Sequence, residues 1–270
     1  MPAVNAVNLT ALKILILVIG GKGGIGKSLL SQIIASKLRA MFKQVFTVDT
    51  DHTNNTTKSI DPGARMVDLW DVKARGGLSL VMAAMKKAPN CAAVIDTGAQ
   101  EDKLVDDVME WLVEQAKDSG VTIIPVLPIV LSVHNQTKAI EFSLTAERLS
   151  LPLVYVKNLG QGRTKRDFER HWDKTNSLAD ALARGAAETV LLDAGARYAD
   201  EAGGYGLSLA DAALGNFEKA GDKAEEAAAS FDADDRAWLN IVLSETGDRV
   251  LTAAAESIAK RGQIDGAKGR

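Results

Sequence analysis

Gly21-Lys22-Gly23-Gly24-Ile25-Gly26-Lys27-Ser28 satisfies the pattern G-x-x-x-x-G-K-[ST] and carries an additional lysine near its start. Immediately upstream, Ile14-Leu15-Ile16-Leu17-Val18-Ile19 is a short apolar run rich in β-branched residues, the composition of a strand buried on both faces. Downstream, Ser28 to Met41 places Leu29, Leu30, Ile33, Ile34, Ala35 and Leu38 at helical spacing with polar residues between them. Strand, glycine loop and helix therefore follow one another in the order a phosphate-binding loop requires.

The residue types explain what such a loop can do. Glycines at 23, 24 and 26 have no Cβ, so the backbone can curl tightly and aim N–H groups at phosphate oxygens at the positive end of the helix dipole. The whole stretch from Gly21 through Ile25 to Leu29 is the candidate nucleotide cradle. Lys27 is placed to reach the β- and γ-phosphates, and Ser28 offers a hydroxyl to Mg²⁺, a hard cation that keeps several waters. The competing reading is a plain glycine turn with Lys27 in solvent, and the flanking elements weigh against it.

Two later segments have the composition of sheet-edge chemistry. Gln44-Val45-Phe46-Thr47-Val48 reads as a strand and runs into Asp49-Thr50-Asp51-His52-Thr53, a polar loop with two carboxylates. Open α/β sheets place ligand chemistry at the carboxyl ends of strands, although a capped surface turn has the same composition. Ala92-Ala93-Val94-Ile95-Asp96-Thr97-Gly98-Ala99 is an apolar strand ending in an aspartate able to hold a water on Mg²⁺. Gly98, two residues on, lets a backbone N–H approach a γ-phosphate.

Lys22-Gly23-Gly24-Ile25-Gly26-Lys27-Ser28 resembles the deviant Walker A box of the ParA/MinD family of ATPases. In that family the first lysine crosses a dimer interface and touches the phosphates of the ATP in the other subunit. Carried to Lys22, the resemblance implies a homodimer that sandwiches ATP. Asp49-Thr50-Asp51 is similar to the family's switch I, which gives Asp51 the attacking water and places Asp49 nearer the Mg²⁺ shell. Lys22, Lys27 and Asp51 are thus the candidate catalytic residues, and Ser28, Asp49 and Asp96 the candidate metal residues. His52 and Thr53 stand where the family usually has proline and glutamine, a departure that bears on hydrolysis more than on binding. Ala92 to Ala99 looks like Walker B merging into switch II, with Asp96 and Gly98 as its functional positions.

Val121 to Leu127 and Leu153 to Val156 are further apolar strands, the second running into Lys157-Asn158. Many relatives read the adenine edge with an asparagine at this point, and Asn158 fits; an asparagine close to Gly160 is equally a turn former. Thr189 to Leu192 reads as a last short strand or a helix end. Helical patterns at Leu104 to Ala116 and Gln136 to Leu149 alternate with the strands. The expected fold is α/β, a doubly wound, mostly parallel sheet with helices on both faces (P-loop NTPase) and a helical C-terminal extension. Residues 1–200 form the expected ATPase core. Residues 201–270 form the extension, packed on the core, with the last residues disordered.

In that extension, helical stretches are expected at about 209–226, 234–245 and 249–260. Trp238, Ile241, Val242 and Glu245 fall on one side of the second, and Leu251, Ala255 and Ile258 on one side of the third. These faces pack on the core or offer a partner surface. The stretch Thr252 to Arg261 has too few bulky apolar residues for a membrane-targeting helix. The apolar run near the N-terminus is too short for a span or an export signal. With a single cysteine, Cys91, there is no intrachain disulfide, and the iron–sulfur branches of the superfamily, which need at least two cysteine ligands, are excluded. A cytoplasmic location is expected.

A formal net charge of −3 means that any contact with nucleic acid must come from a local patch. Arg163, Lys165, Arg166 and Arg170 are the candidates, near Lys174. Asp167, Glu169 and Asp173 interrupt them, so a solvated mixed-charge helix fits the same residues. ParA-type relatives bind DNA nonspecifically through basic residues gathered in the ATP dimer. The resemblance thus implies ATP and Mg²⁺ as cofactors, a homodimer, an adaptor that stimulates slow hydrolysis, and plasmid DNA or a macromolecular complex as cargo. It is most similar to the plasmid-borne ParA-like ATPases of stability and conjugative-transfer operons. A P-loop kinase or amide ligase acting on a small metabolite, and a nucleotide-binding scaffold without turnover, are the alternative readings.

Overall fold

The computed structural model describes residues 7–20, 23–51, 57, 61, 63–67, 74–98, 102–160, 164–192 and 196–268. Within them, seven strands build a single parallel sheet: β1 (Lys13–Val18), β2 (Gln44–Asp49), β3 (Arg65–Met66), β4 (Cys91–Asp96), β5 (Val121–Ile129), β6 (Val154–Asn158) and β7 (Ala187–Leu191). Their order across the sheet is β3-β2-β4-β1-β5-β6-β7. The connection from β1 runs to β2 toward one end of the sheet and the connection from β4 passes β1 to β5 toward the other, so the crevice at the carboxyl end of β1 is a topological switch point.

The sheet is buried from both sides because its strands are apolar on both faces. In β1, Leu15 and Leu17, together with Ile19 just past its end, join one core, while Ile14, Ile16 and Val18 join the other. The first core is roofed by α2 (Ala74–Lys87), α3 (Asp102–Ser119), α4 (Val133–Arg148), α5 (Lys165–His171) and α6 (Asn176–Ala183). The second is roofed by α1 (Lys27–Met41) and by the long last helix, α10 (Ala233–Lys268). Helix α2 has no counterpart among the sequence expectations, and β7 resolves the Thr189–Leu192 ambiguity in favour of a strand.

The C-terminal segment differs from its sequence pattern in two ways. Where one helix is expected over 209–226, left-handed Gly215 (φ 75) and Gly221 (φ 64) divide the chain into α8 (Leu209–Leu214), a 3₁₀ stretch at Phe217–Lys223 and α9 (Ala224–Ser230). These pack with α7 (Ala196–Gly204) and the start of α10 around Leu207, Phe231 and Leu239. Where two helices are expected at 234–245 and 249–260, α10 runs unbroken to Lys268, leaving only Gly269 and Arg270 beyond it outside the described residues.

The inward side of α10 also departs from the apolar pattern. Leu239, Val242, Thr246 and Val250 are buried, whereas Trp238 and Ile241 remain 43% and 46% exposed. The packed stripe includes small and polar positions: a Cβ on Gly247 would lie 3.0 Å from the Lys37 Cβ on α1, and Ser257 is fully buried. Ser257 Oγ accepts from Leu153 N at 2.8 Å and donates to Gly185 O at 2.7 Å. Arg261 donates to Glu147 O at 2.9 Å and to Arg184 O at 3.3 Å. No helix of the described residues is long and apolar enough to cross a membrane.

Candidate functional site

Parallel register brings the three loop segments to one place. Asp96 at the end of β4 pairs in register with Val18 of β1 on one side and with Asp49 of β2 on the other. Gly26, in the left-handed region at φ 94, caps the start of α1 without a side chain. Lys27 opens the helix, is buried, and lays its stem within 3.6 Å of a Cβ position on Gly20. Ser28 hydrogen-bonds the Asp96 carboxyl. Gly23 and Gly24 are exposed at the tip of the loop, while Gly21 and Lys22 lie outside the described residues.

Asp49 and Asp96 are both almost fully buried, a costly arrangement for two carboxylates unless a cation or hydrogen bonds compensate. Burial pushes the Asp96 pKa up to about 6; hydroxyl bonds from Thr57, Ser28 and Ser31 oppose the shift, and the charge of Asp49 adds to it. Asp49 Oδ1 accepts the Asp51 N–H at 2.9 Å, closing the Asp-x-Asp segment into an Asx-type turn that leaves Asp51 partly exposed. His52 and Thr53 lie outside the described residues.

Residues without a motif assignment tie these loops together. The Thr50 hydroxyl donates to Asp96 O at 3.2 Å and accepts the Gly98 N–H at 3.2 Å. Thr97 donates to Val18 O at 2.9 Å. Ser31 and Thr57 donate to the two oxygens of Asp96 at 3.1 and 2.6 Å. Each is an ordinary polar residue in sequence, and only Ser31 carried a signal: its place three residues after Ser28 on one helix face. Asn158 reaches the cradle from β6, donating to Ile25 O at 2.9 Å and accepting from Gly160 N at 2.9 Å. A Cβ on Gly26 would meet Asn158 Nδ2 at 2.8 Å, so the glycine and the asparagine are packed as a unit.

The donor set fits a magnesium-bound nucleotide. Ser28, Asp49 and Asp96 offer hard oxygens at the mouth of a helix N-terminus, few enough for an ion that retains waters and phosphate oxygens. Among the described residues, no cluster of three or more His, Cys, Asp or Glu forms a self-sufficient metal site, which leaves a hydroxyl and two carboxylates as the donors.

The model of the CobQ/CobB/MinD/ParA nucleotide binding domain matches residues 16–146, the span that holds the glycine loop, Asp49 and Asp96. Residues 16–146 are thus similar to the CobQ/CobB/MinD/ParA nucleotide binding domain. The match takes in the second half of β1, β2 to β5 and most of α4, and β6, β7 and the C-terminal helices lie beyond it. Solved structures similar to the chain include an ATP complex of a single-substitution variant of McdA from Cyanothece, at 13% identity and a TM-score of 0.44, covering 81% of this chain and 96% of that one. The MinC:MinD cell division complex of Aquifex aeolicus is similar at 13% identity and a TM-score of 0.43, covering 80% and 94%. An ADP complex of a nucleotide-binding protein from Archaeoglobus fulgidus follows at 15% identity and a TM-score of 0.37, covering 68% and 84%. No curated protein matches the sequence.

Lys165, Arg166 and Arg170 are exposed on α5, and Arg163 falls outside the described residues. Two of the interrupting acids have local partners: Asp167 accepts from Thr164 N at 2.8 Å in a capping box, and Asp173 faces the buried Lys157 at 3.2 Å.

Proposed function

We propose that this protein is an ATP-binding, slowly hydrolysing dimerisation switch that positions or segregates cargo, either plasmid DNA or a macromolecular complex. The observation that carries the reading is the convergence of Lys27, Ser28, Asp49 and Asp96 on the carboxyl ends of three adjacent parallel strands. Backbone N–H groups of Gly23 to Ser28 and the Lys27 ammonium bind the triphosphate. Ser28, with Asp49 and Asp96 behind it, holds Mg²⁺, which when bound neutralises charge on the β- and γ-phosphates. Asp51, on the turn hinged at Asp49, orients the attacking water. Hydrolysis is then mainly a matter of positioning and electrostatics, and an adaptor protein accelerates it. Asn158 braces the cradle through Ile25 and stands beside the adenine position.

Lys22 is the residue that separates a switch from a small-molecule kinase, because only a dimer gives it a phosphate to grip. Light scattering tests the point. Lys22→Ala should bind ATP with Mg²⁺ yet stay monomeric, and Lys27→Ala should bind no nucleotide; a wild-type chain that remains monomeric with both ligands rules out the switch. Nonspecific DNA binding through Arg163, Lys165, Arg166 and Arg170 belongs to the same reading, supported by the local engagement of Asp167 and Asp173. An ATP-dependent gel shift that survives Lys165→Glu with Arg166→Glu would remove that patch. The protein acts in the cytoplasm on this reading.

A further inference from the structure

Four oxygen-bearing side chains surround the Asp96 carboxylate, and the family motifs explain only two of them. Ser28 belongs to the glycine loop and Asp49 to the first acidic segment. Ser31 and Thr57 belong to neither. Ser31 is 1% exposed, one turn after Ser28 on α1, and its hydroxyl reaches Asp96 Oδ1 at 3.1 Å. Thr57 is 4% exposed, beyond the Asp51 turn, and its hydroxyl reaches Asp96 Oδ2 at 2.6 Å. The carboxylate is therefore gripped at both oxygens, from the helix that carries the cradle and from the segment that follows Asp51.

We infer that Ser31 and Thr57 are positioning residues of the metal site. Each occupies one lone pair of a carboxylate oxygen and so directs the remaining lone pairs toward the metal position. Free rotation of Asp96 would scatter those lone pairs and weaken its hold on metal-bound water.

Thr57 has a second consequence. Asp61 N donates to Thr57 O at 2.8 Å, and Asp61 in turn accepts from Thr47 on β2 at 2.6 Å and pairs with Arg39 on α1. Residues 57 and 61 are thereby fastened at one point to the metal carboxylate and at another to the rigid core. A cavity of about 620 Å³ opens beside them, lined by Ser31, Thr57, Asp61 and Asp96 and by none of the described residues of the glycine loop. Thr57 thus links the Asp96 carboxylate through Asp61 to β2 and α1.

The inference rests on the nucleotide–magnesium reading above, and one titration separates the two. Binding of a fluorescent N-methylanthraniloyl-ADP to the full chain is measured in EDTA and across a series of free Mg²⁺ concentrations. A charge-assisted hydrogen bond lost from a buried carboxylate corresponds to about a tenfold effect or more. Ser31→Ala and Thr57→Val should each raise the Mg²⁺ concentration for half-maximal tightening by about tenfold. Affinity in EDTA should stay within about twofold of wild type, and Thr57→Ser should restore the wild-type midpoint. Wild-type midpoints in both variants, or an equal loss of affinity in EDTA, would overturn the positioning role while leaving the nucleotide site intact. No binding by the wild-type chain, or binding indifferent to Mg²⁺, would overturn the underlying reading as well.

Discussion

At Gly26 two constraints meet in one residue. Its φ of 94 is a conformation that side chains with a Cβ rarely adopt, and the space a methyl group would need holds Asn158 Nδ2. Gly26→Ala should therefore cost more than a tenfold loss of nucleotide affinity, measured by calorimetry, while far-UV circular dichroism stays unchanged. Asp96 is the complementary case, a charge kept in a place where burial disfavours it. With its pKa raised to about 6, the carboxyl contributes stability when protonated, and this contribution is lost as pH rises through about 6. In metal-free buffer Asp96→Asn should thus stabilise the chain by about 1–2 kcal/mol at pH 7.5, with the gain shrinking as pH falls toward 4.5. Denaturant melts at both pH values check this; equal gains at the two would refute it. The aspartate is legible in sequence from its place at the end of an apolar run, but its partner Thr57 is not, since it is 39 positions away and meets Asp96 only in the folded chain.

Among the elements, α10 deviates most from its sequence pattern. A 36-residue helix spans about 54 Å, far enough to run from the small C-terminal core past α1 to the Gly185 turn. Its apolar periodicity is weak because Gly247, Ser257, Thr246 and Arg261 share the packed face with Leu239, Val242, Val250 and Leu251. Ser257 is the clearest of these, serving a buried N–H and a buried carbonyl together. Ser257→Ala should destabilise the chain by about 2 kcal/mol through those orphaned groups, whereas Glu256→Ala, on the exposed side, should be neutral within about 0.5 kcal/mol. The exposed Trp238 and Ile241 show the same lesson in reverse: large apolar residues at helical spacing do not mark the packed face when the neighbouring surface has been built for small ones.

Over the whole molecule, two cores clasp a sheet that is apolar on both sides, and the single cysteine reports on how tightly. Cys91 is fully buried at the start of β4, with its thiol facing Met85 O and Ala88 O. Burial pushes its pKa up, so the thiolate is scarcer at any given pH than in a free thiol. Reaction with a thiol reagent at pH 8 should proceed only through opening of the core, at a rate that nucleotide with Mg²⁺ slows in proportion to the stability it adds. Rapid labelling of the native chain would show that the β2–β4 side opens independently.

The fold class, the glycine turn that opens α1 and the aspartates that end β2 and β4 were all readable from the sequence, because each depends on local composition: β-branched runs for buried strands, glycines for a tight loop, a carboxylate where a strand ends. What only the tertiary structure decided is how those ends are held against one another. Thr50, Thr57, Thr97, Ser31 and Asn158 act through hydrogen bonds between segments distant in the chain, and a hydroxyl or amide has little periodicity to announce its partner. The seating of α10 was hidden for the same reason: close approach of two helices is specified by the absence of side-chain volume, which an apolar pattern does not record.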